Sequence, residues 1–594
     1  MSNIRPLLRL TVFLSAALFG GCRTETAPKD DLAFCSRKSN DLVLRLEAEP
    51  NNLNPLLSTS GYNSLVDYQM FGYLLTIDPV SMELAPYLAK SRPAIQELND
   101  GPYAGGMSYT YEIHEAAVWD NGTPVTGRDY AFTLKAVLNP FVTGAKRLVP
   151  YVQFIKDVVI DPENPKKFTV YTNERQLSGE ERVSSTFFVI PEYAYDPEGL
   201  LKDIPVTDFS DEAKMKTLSE SDDRLSRFAD QFQDPKYSND PAAISGCGAY
   251  KLESWEPGQQ LSLVKKENWW GDPLVKDFPN LGAYPDRIVI KPIIDAATAL
   301  TALKAEEIDV MSDINPKDFT DLVAAGDSSC YRLEAPSILQ VAFLSLNTRI
   351  PKLSDKRVRK AIAYAIDVDQ IINTLYYGLA ERTASPAHPS TSYYNQQLKP
   401  IPFDIEKAKS LLAEAGWKDT NGDGVVDKDI NGQKVELQLR YGFTATRSIS
   451  QQIGLLIQEN AGKAGIDIKL DGKEFNQLLD DRKRGDFDII AGGRSLSPLY
   501  WEPKQNYHTA GDNQVGFGNA DTDALLDSIQ NTFDEAERLK MYLRFQEILY
   551  DEMPEIYVIA PKGRIAIHKR FEGPTMAMYP GFLVNLFHLK ESAN

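Results

Sequence analysis

Between Lys434 and Gly493 the apolar period of the chain switches repeatedly between two and 3.6 residues. "KVELQLRY" sets Val435, Leu437 and Leu439 at alternate positions, as in a half-buried strand. From Arg447 to Ala464, Ile449, Ile453, Leu456 and Ile457 fall on one helical face. "GIDIKL" then reads as a strand, "EFNQLLDDRKR" as a helix and "FDIIAGG" as a strand. This order constrains the fold: strands separated by helices run parallel, because each needs a long crossover, and the helices must cover the sheet.

The same order recurs in "RIVIKPIIDAATALTALKAEEIDVM", where Asp295 is a suitable helix N-cap. "SDKRVRKAIAYAIDVDQIINTLYYG" carries the longest helical pattern, one or two helices, with Val358, Ala361, Ile362, Ala365 and Ile366 as its apolar stripe and Gly378 as a stop. Residues 95–175 are richer in turns and short strands. Residues 196–240 are polar, with weak periodicity, and read as an insertion or long loop. A chain of 594 residues exceeds one core. At roughly 100–200 residues per domain it holds about three or four domains or lobes.

Asp and Glu outnumber Lys and Arg by 83 to 64, a net charge of −19. That argues against nucleic acid, which demands a basic surface. At the N-terminus, Arg5 and Arg9 precede the apolar run "LTVFLSAALF", too short to span a bilayer and suited to an export signal. "LFGGC" resembles a bacterial lipoprotein signal, with Phe19 where Leu is usual. The expectation is a signal peptide over 1–21, a lipidated Cys22 and a polar tether over 22–40, anchoring the protein by lipid alone in the periplasm of a bacterial envelope. The plainer alternative is an ordinary signal peptide cut elsewhere. Of the remaining cysteines, Cys35, Cys247 and Cys330, two can pair in an oxidising compartment, and the pairing stays open.

Catalytic signatures are sparse. The histidines form no H-E-x-x-H, there is no phosphate-binding G-x-x-x-x-G-K-[ST] loop, and "GRSLS" lacks the last glycine of a nucleophile elbow. "DTNGDGVVDKDI" resembles a calcium loop, with Asp419, Asn421, Asp423 and Asp427 as ligands and Gly424 at the sharp turn. Its twelfth position is Ile430, where such a loop supplies a bidentate Glu. The plainer reading is a helix-to-strand turn, since Gly, Asn and Asp tolerate positive φ. Calcium is thus the one cofactor candidate.

Four stretches together carry a resemblance: "VWDNGTPVTGRDYAFTLKAVLNP", "GCGAYKLESWEPGQQLSLVKKENWWG", "FLSLNTRIPKLSDKRVRKAIAYAIDVDQII" and "FDIEKAKSLLAEAGWKDTNGDG". In this order they resemble the peptide/nickel family of extracytoplasmic solute-binding proteins of ABC importers, which includes oligopeptide- and dipeptide-binding proteins. The resemblance implies an α/β, two-lobed, type II periplasmic-binding-protein fold with an extra subdomain. Lobe I is expected from 41–75, 191–336 and 557–594, its subdomain from 76–190 and lobe II from 337–556. The lobes would cross near "SILQVAFLSLN" and "PEIYVIAPKG" and close on ligand about that hinge.

The implied function is capture of a peptide or related small solute and its delivery to permease subunits, by a monomer without catalytic activity. Rivals are a receptor, sensor or chaperone on the same fold, or an exported hydrolase. By position, the implied ligand-binding residues are Tyr62, Asn63, Gly246, Cys247, Arg494, Ser495, Ser497 and Trp501. Arg494 reads either as a clamp for a ligand carboxylate or as a surface ion pair. Trp255, Trp269 and Trp270 read as core or as a stacking platform. In peptide binders an aspartate three places before an acid-Pro pair takes the ligand's amino group. Counting back from Glu502-Pro503 gives Leu499, so that carboxylate is missing here.

Overall fold

A computed structural model describes residues 35, 39–58, 60–326 and 330–590. Two large sheets organise it. The first has seven strands, in the order Tyr331–Glu334, Ile565–His568, Val310–Met311, Asp41–Leu46, Arg287–Pro292, Gln260–Lys265 and Tyr250–Glu256. Asp41–Leu46 lies parallel to both Arg287–Pro292 and Val310–Met311. Five of its six residues, Leu42 to Leu46, are buried, as expected of a central strand covered on both faces. The helix Ala296–Lys304 makes the crossover, capped by Asp295, whose carboxylate accepts from Thr298 N–H.

The second sheet has six strands: Ala380–Arg382, Glu555–Pro561, Gln340–Leu346, Ile489–Ser495, Gln438–Thr444 and Asp467–Lys473. Gln438–Thr444 is parallel to both of its neighbours, with the helices Ser448–Lys463 and Phe475–Arg484 as crossovers. The 434–441 stretch is not one strand. Gln433–Glu436 pairs with Asp427–Ile430 in a separate hairpin, and the sheet strand begins at Gln438, after the fully buried Leu437. A four-stranded antiparallel sheet, Ala94–Glu97, Met107–Glu112, Lys167–Thr172 and Ile155–Ile160, shares one continuous apolar core with the first large sheet. The second large sheet has cores of its own.

Residues 196–240 are helical rather than loop-like. Val206–Ser210, Glu212–Ser221, Arg224–Phe232 and Lys236–Asn239 are helices. Arg224–Phe232 buries Leu225, Phe228 and Phe232 at i, i+3 and i+7, which fixes the segment to the core.

The chain passes between the sheets twice. It leaves the first after Glu334 and joins the second at Gln340; it leaves the second after Pro561 and rejoins the first at Ile565. The expected end of lobe II at 556 falls inside Glu555–Pro561, which stays in the second sheet throughout. The two connections are tied by a Ser337–Lys562 bridge and a 2.8 Å backbone hydrogen bond from Gly563 N–H to Pro336 O. Two short tied connections between separate cores make a hinge, because few dihedrals must change to move one lobe on the other. Cys35 and Cys330 form a disulfide, and Cys247 is free and buried.

Candidate functional site

In open α/β sheets, ligand crevices lie beyond the carboxyl ends of parallel strands. In the first lobe, Asp41–Leu46 runs directly into Glu47, and Val310–Met311 into Asp313, held at φ +53°. The Tyr62 hydroxyl donates to Glu47 at 3.4 Å, and Arg45 pairs with Glu47 at 2.9 Å. Asp313 lies 3.9 Å from Arg564, which belongs to the returning connection. Burial, then Glu47, push the Asp313 carboxyl above its usual range, against the opposing charge of Arg564. Tyr579 is 42% exposed. Across the hinge, Tyr376 sits within reach of both Arg564 and Arg447, the latter just past the end of Gln438–Thr444. The ends of these first-lobe strands therefore carry two acidic side chains, with Arg564 of the returning connection as the opposing charge beside Asp313.

The strand Ile489–Ser495 adds a backbone feature. Gln340–Leu346 pairs with its whole length, but Gln438–Thr444 pairs only with Ile489 and Ile490. Among the described residues no strand pairs with that edge from Ala491 to Ser495, and Gly493 and Ser495 on it are exposed. An open edge offers unpaired N–H and C=O groups to an extended chain.

Beneath that strand lies a buried charge network. Glu555, 1% exposed, meets Arg494 at 3.2 Å, accepts from the Tyr507 hydroxyl at 2.6 Å and the Tyr557 hydroxyl at 3.1 Å, and lies 3.9 Å from Arg482. Burial alone would raise its pKa. Arg494, the Tyr507 hydroxyl, Arg482 and the Tyr557 hydroxyl outweigh burial and hold the carboxyl below its usual range.

Away from the hinge the lobes touch again. Glu502 of the second lobe accepts from Ser178 Oγ at 2.7 Å and pairs with Arg182 at 3.0 Å. The Arg175 guanidinium stacks 3.5 Å from the centre of the Phe533 ring. Leu499 packs against the first-lobe core. The position where peptide binders carry an amine-binding aspartate is thus an apolar contact, and Glu502 is occupied by Ser178 and Arg182.

The residues singled out in the sequence divide accordingly. Tyr62 lies beside Glu47, to which its hydroxyl donates. Ser495 is exposed on the open strand, its hydroxyl accepting from Gln340 Nε2 at 3.3 Å. Arg494 is neither a free clamp nor a surface ion pair: its guanidinium lies on Glu555 and over the Phe343 ring, 4.6 Å away. Asn63 is fully buried, and its amide holds Asn51 and Asn52 in the preceding loop. Gly246 allows a close backbone approach, since a Cβ there would meet Met70 O at 2.0 Å. Cys247 is 1% exposed, and burial pushes its thiol up to about 12. Its carbonyl accepts from both Trp269 Nε1 and Trp270 Nε1, so these two tryptophans belong to the core. Trp255 donates to Glu49 at 2.7 Å. The Ser497 hydroxyl accepts from Leu499 N–H and its carbonyl from Tyr393. Trp501 is buried among Tyr393, Tyr542 and Phe545.

Glu47, Asp313 and Arg564 escaped the sequence reading. The first two were within reach of it, because each follows the end of a readable parallel strand.

The 419–427 loop is accounted for by its own bonds. Asp419 accepts from Gly422 N–H and Gly424 N–H, Asp423 from Val425 N–H and the Asn421 amide, and Asp427 from Thr420 while pairing with Lys434 at 3.2 Å. Gly422 and Gly424 adopt φ of +80° and +91°. Among the described residues, the metal-capable side chains that converge are Cys35, Cys330 and His568, and both sulfurs are joined in the disulfide. Cys22 lies outside the described residues.

The sequence model of bacterial extracellular solute-binding proteins, family 5 Middle, matches residues 83–517. The oligopeptide-binding protein AppA of Bacillus subtilis is 24% identical over 578 residues, covering 96% of this chain and 94% of AppA. Heme-binding protein A of Haemophilus influenzae is 24% identical over 598 residues, 95% of this chain and 96% of that protein. The structure of Bacillus subtilis AppA in complex with a nonapeptide superposes with a TM-score of 0.68 at 22% identity, over 93% of this chain and all of that one. It shares the two-lobed α/β fold.

Proposed function

The chain belongs to the bacterial extracellular solute-binding proteins, family 5, and on that premise we propose that it captures short peptides between its lobes and presents them to the permease of an ABC importer. The family's members are solute-binding proteins. The peptide, the permease, the monomeric state and the absence of catalysis are our reading for this chain. The observation that carries it is the edge from Ala491 to Ser495, which among the described residues pairs with no strand on one side; Glu47 and Asp313 at the ends of the first-lobe strands, with Arg564 near Asp313, add charges of both signs. An extended peptide satisfies such an edge through its own backbone, whatever its side chains. Its two charged ends suit charges of both signs. The two tied connections let the lobes close over it.

Native purification followed by mass spectrometry of the released ligand tests this. Mixed short peptides are the expected result. A single sugar, or turnover of peptide by the purified protein, would sink it.

We also propose that the protein is anchored at the periplasmic face of a membrane by a lipid on Cys22. Among the described residues no helix is long and apolar enough to cross a membrane. Cys22→Ser is expected to move the protein from the membrane fraction to the soluble one. Continued membrane association of the variant would count against the anchor.

A further inference from the structure

Two lobes with separate cores and two short connections turn on each other by default. A second contact opposes that motion. Ser178 Oγ donates to one carboxylate oxygen of Glu502 at 2.7 Å, and Arg182 donates to the other at 3.0 Å. These partners lie 324 and 320 residues apart in sequence, so the contact exists only through the arrangement of the lobes. In the turn before Ser178, the Arg175 guanidinium reaches the same lobe, 3.5 Å from the centre of the Phe533 ring.

Each side is held in place by its own lobe. Trp501 and Pro503 are buried on either side of Glu502, and the Tyr542 hydroxyl donates to Trp501 O at 2.6 Å, so Glu502 is left exposed between two anchored neighbours. Arg538 donates to Thr532 O at 2.9 Å and to Phe533 O at 3.1 Å, which fixes the turn that carries the ring. On the first lobe, Gln176 Oε1 accepts from Arg182 at 2.9 Å, and Glu97 pairs with Arg175 at 2.5 Å. Side chains already held lose little freedom on meeting. Two hydrogen bonds to one carboxylate, one of them from a guanidinium, also outweigh an isolated surface pair.

Glu502 shares a segment with the open edge. From Ser495 the chain runs through Leu499, packed on the first-lobe core, to Glu502. A ligand lying on the edge and the carboxylate that holds the opposite lobe therefore act on one short stretch.

We propose that Glu502, with Ser178 and Arg182, is a latch that holds the lobes closed in the ligand-free protein and gates the entry and exit of ligand. This rests on the hinge-closure part of the reading above and not on the identity of the solute. Loss of the latch is expected to raise the open-to-closed ratio about tenfold, equivalent to about 1.4 kcal/mol. Entry and exit both pass through the open state, so both rates rise together. Loss of a side chain that touched ligand would speed dissociation alone.

The test uses the full-length, ligand-free protein with spin labels on Val80→Cys in the first lobe and Leu455→Cys in the second, both positions being exposed. Double electron–electron resonance then reads the distance between the lobes. Glu502→Ala is expected to populate a second distance about tenfold more than the parent does, with circular dichroism unchanged. Phe533→Ala shifts the distribution the same way by less. Raising salt from about 0.1 M to about 1 M shortens the screening length from about 10 Å to about 3 Å. That change moves the parent toward the Glu502→Ala distribution and leaves the variant as it was. One distribution common to both proteins at both salt concentrations overturns the latch. Stopped-flow tryptophan fluorescence with trialanine gives the rates, expected to be about tenfold faster in both directions for Glu502→Ala. Faster dissociation with unchanged association makes Glu502 a ligand contact and overturns the latch. Failure of trialanine to bind either protein overturns the peptide reading, and the ligand-free distances still decide the latch.

Discussion

Replacing Arg494 with methionine lowers the stability of the protein by about 3–5 kcal/mol, the cost of stranding a buried charge. The stranded group is Glu555, 1% exposed, whose remaining partners would be the hydroxyls of Tyr507 and Tyr557 and an arginine 3.9 Å away. The second substitution, Glu555→Met, is expected to restore part of the loss when added to the first, because it removes the stranded carboxylate but leaves Arg482 without its nearby counter-charge. Denaturant unfolding of both single variants and the double variant reads the coupling directly. The ligand-free protein is the right sample, since a ligand clamp and a structural ion pair then give opposite results. If Arg494 serves only to hold a ligand carboxylate, Arg494→Met leaves the free protein as stable as before and weakens binding alone.

Acid sharpens the same point. Glu555 has a depressed pKa in the folded protein. Its contribution is present above the unfolded carboxyl value of about 4.3 and is lost as pH falls through the lower folded value. The Arg494→Met/Glu555→Met variant is therefore expected to lose less stability on acidification than the wild type.

The sheets were legible because their strands announce themselves locally. Alternation in "FDIIAGG" and the stripe Ile449, Ile453, Leu456 and Ile457 need no distant partner to be read. Errors arose where local period is ambiguous. Val435, Leu437 and Leu439 alternate through a point at which the chain leaves a hairpin and enters a sheet, and alternation is blind to that change. Leu225, Phe228 and Phe232 form a helical stripe submerged in charged residues, so the segment passed for a loop. The crevice was harder still. Glu47 meets Tyr62 within one stretch, but Asp313 and Arg564 join them only because two parallel strands and a returning connection end at the same place. Position by resemblance picked out Tyr62, which the structure places beside Glu47, and Ser495, which is exposed on its strand. It also selected Asn63, Cys247 and Trp501, which are buried for packing and for satisfying polar groups. A motif marks a position in the fold, and only the surroundings say whether a side chain there faces ligand or core.

The open edge makes the strongest demand on the ligand. Trialanine is a suitable probe, because its methyl side chains contribute little and its backbone is intact. Methylating its two amide nitrogens is expected to weaken binding by about 100-fold or more. Each methyl removes a donor and leaves a protein carbonyl facing it unpaired, at about 1–3 kcal/mol apiece. Exchanging one alanine for leucine or serine is expected to change affinity far less, since side chains that leave a strand edge alternately need not touch it. Calorimetric titration of the four peptides separates the two effects. Equal sensitivity to backbone and side-chain changes would mean that the edge from Ala491 to Ser495 is not the recognition surface. The contrast follows from geometry: Gln438–Thr444 diverges after Ile490, and the backbone groups beyond it lack a strand on that side. A ligand that supplies the missing strand is selected for being an extended chain, with side-chain preference left to the side chains around it.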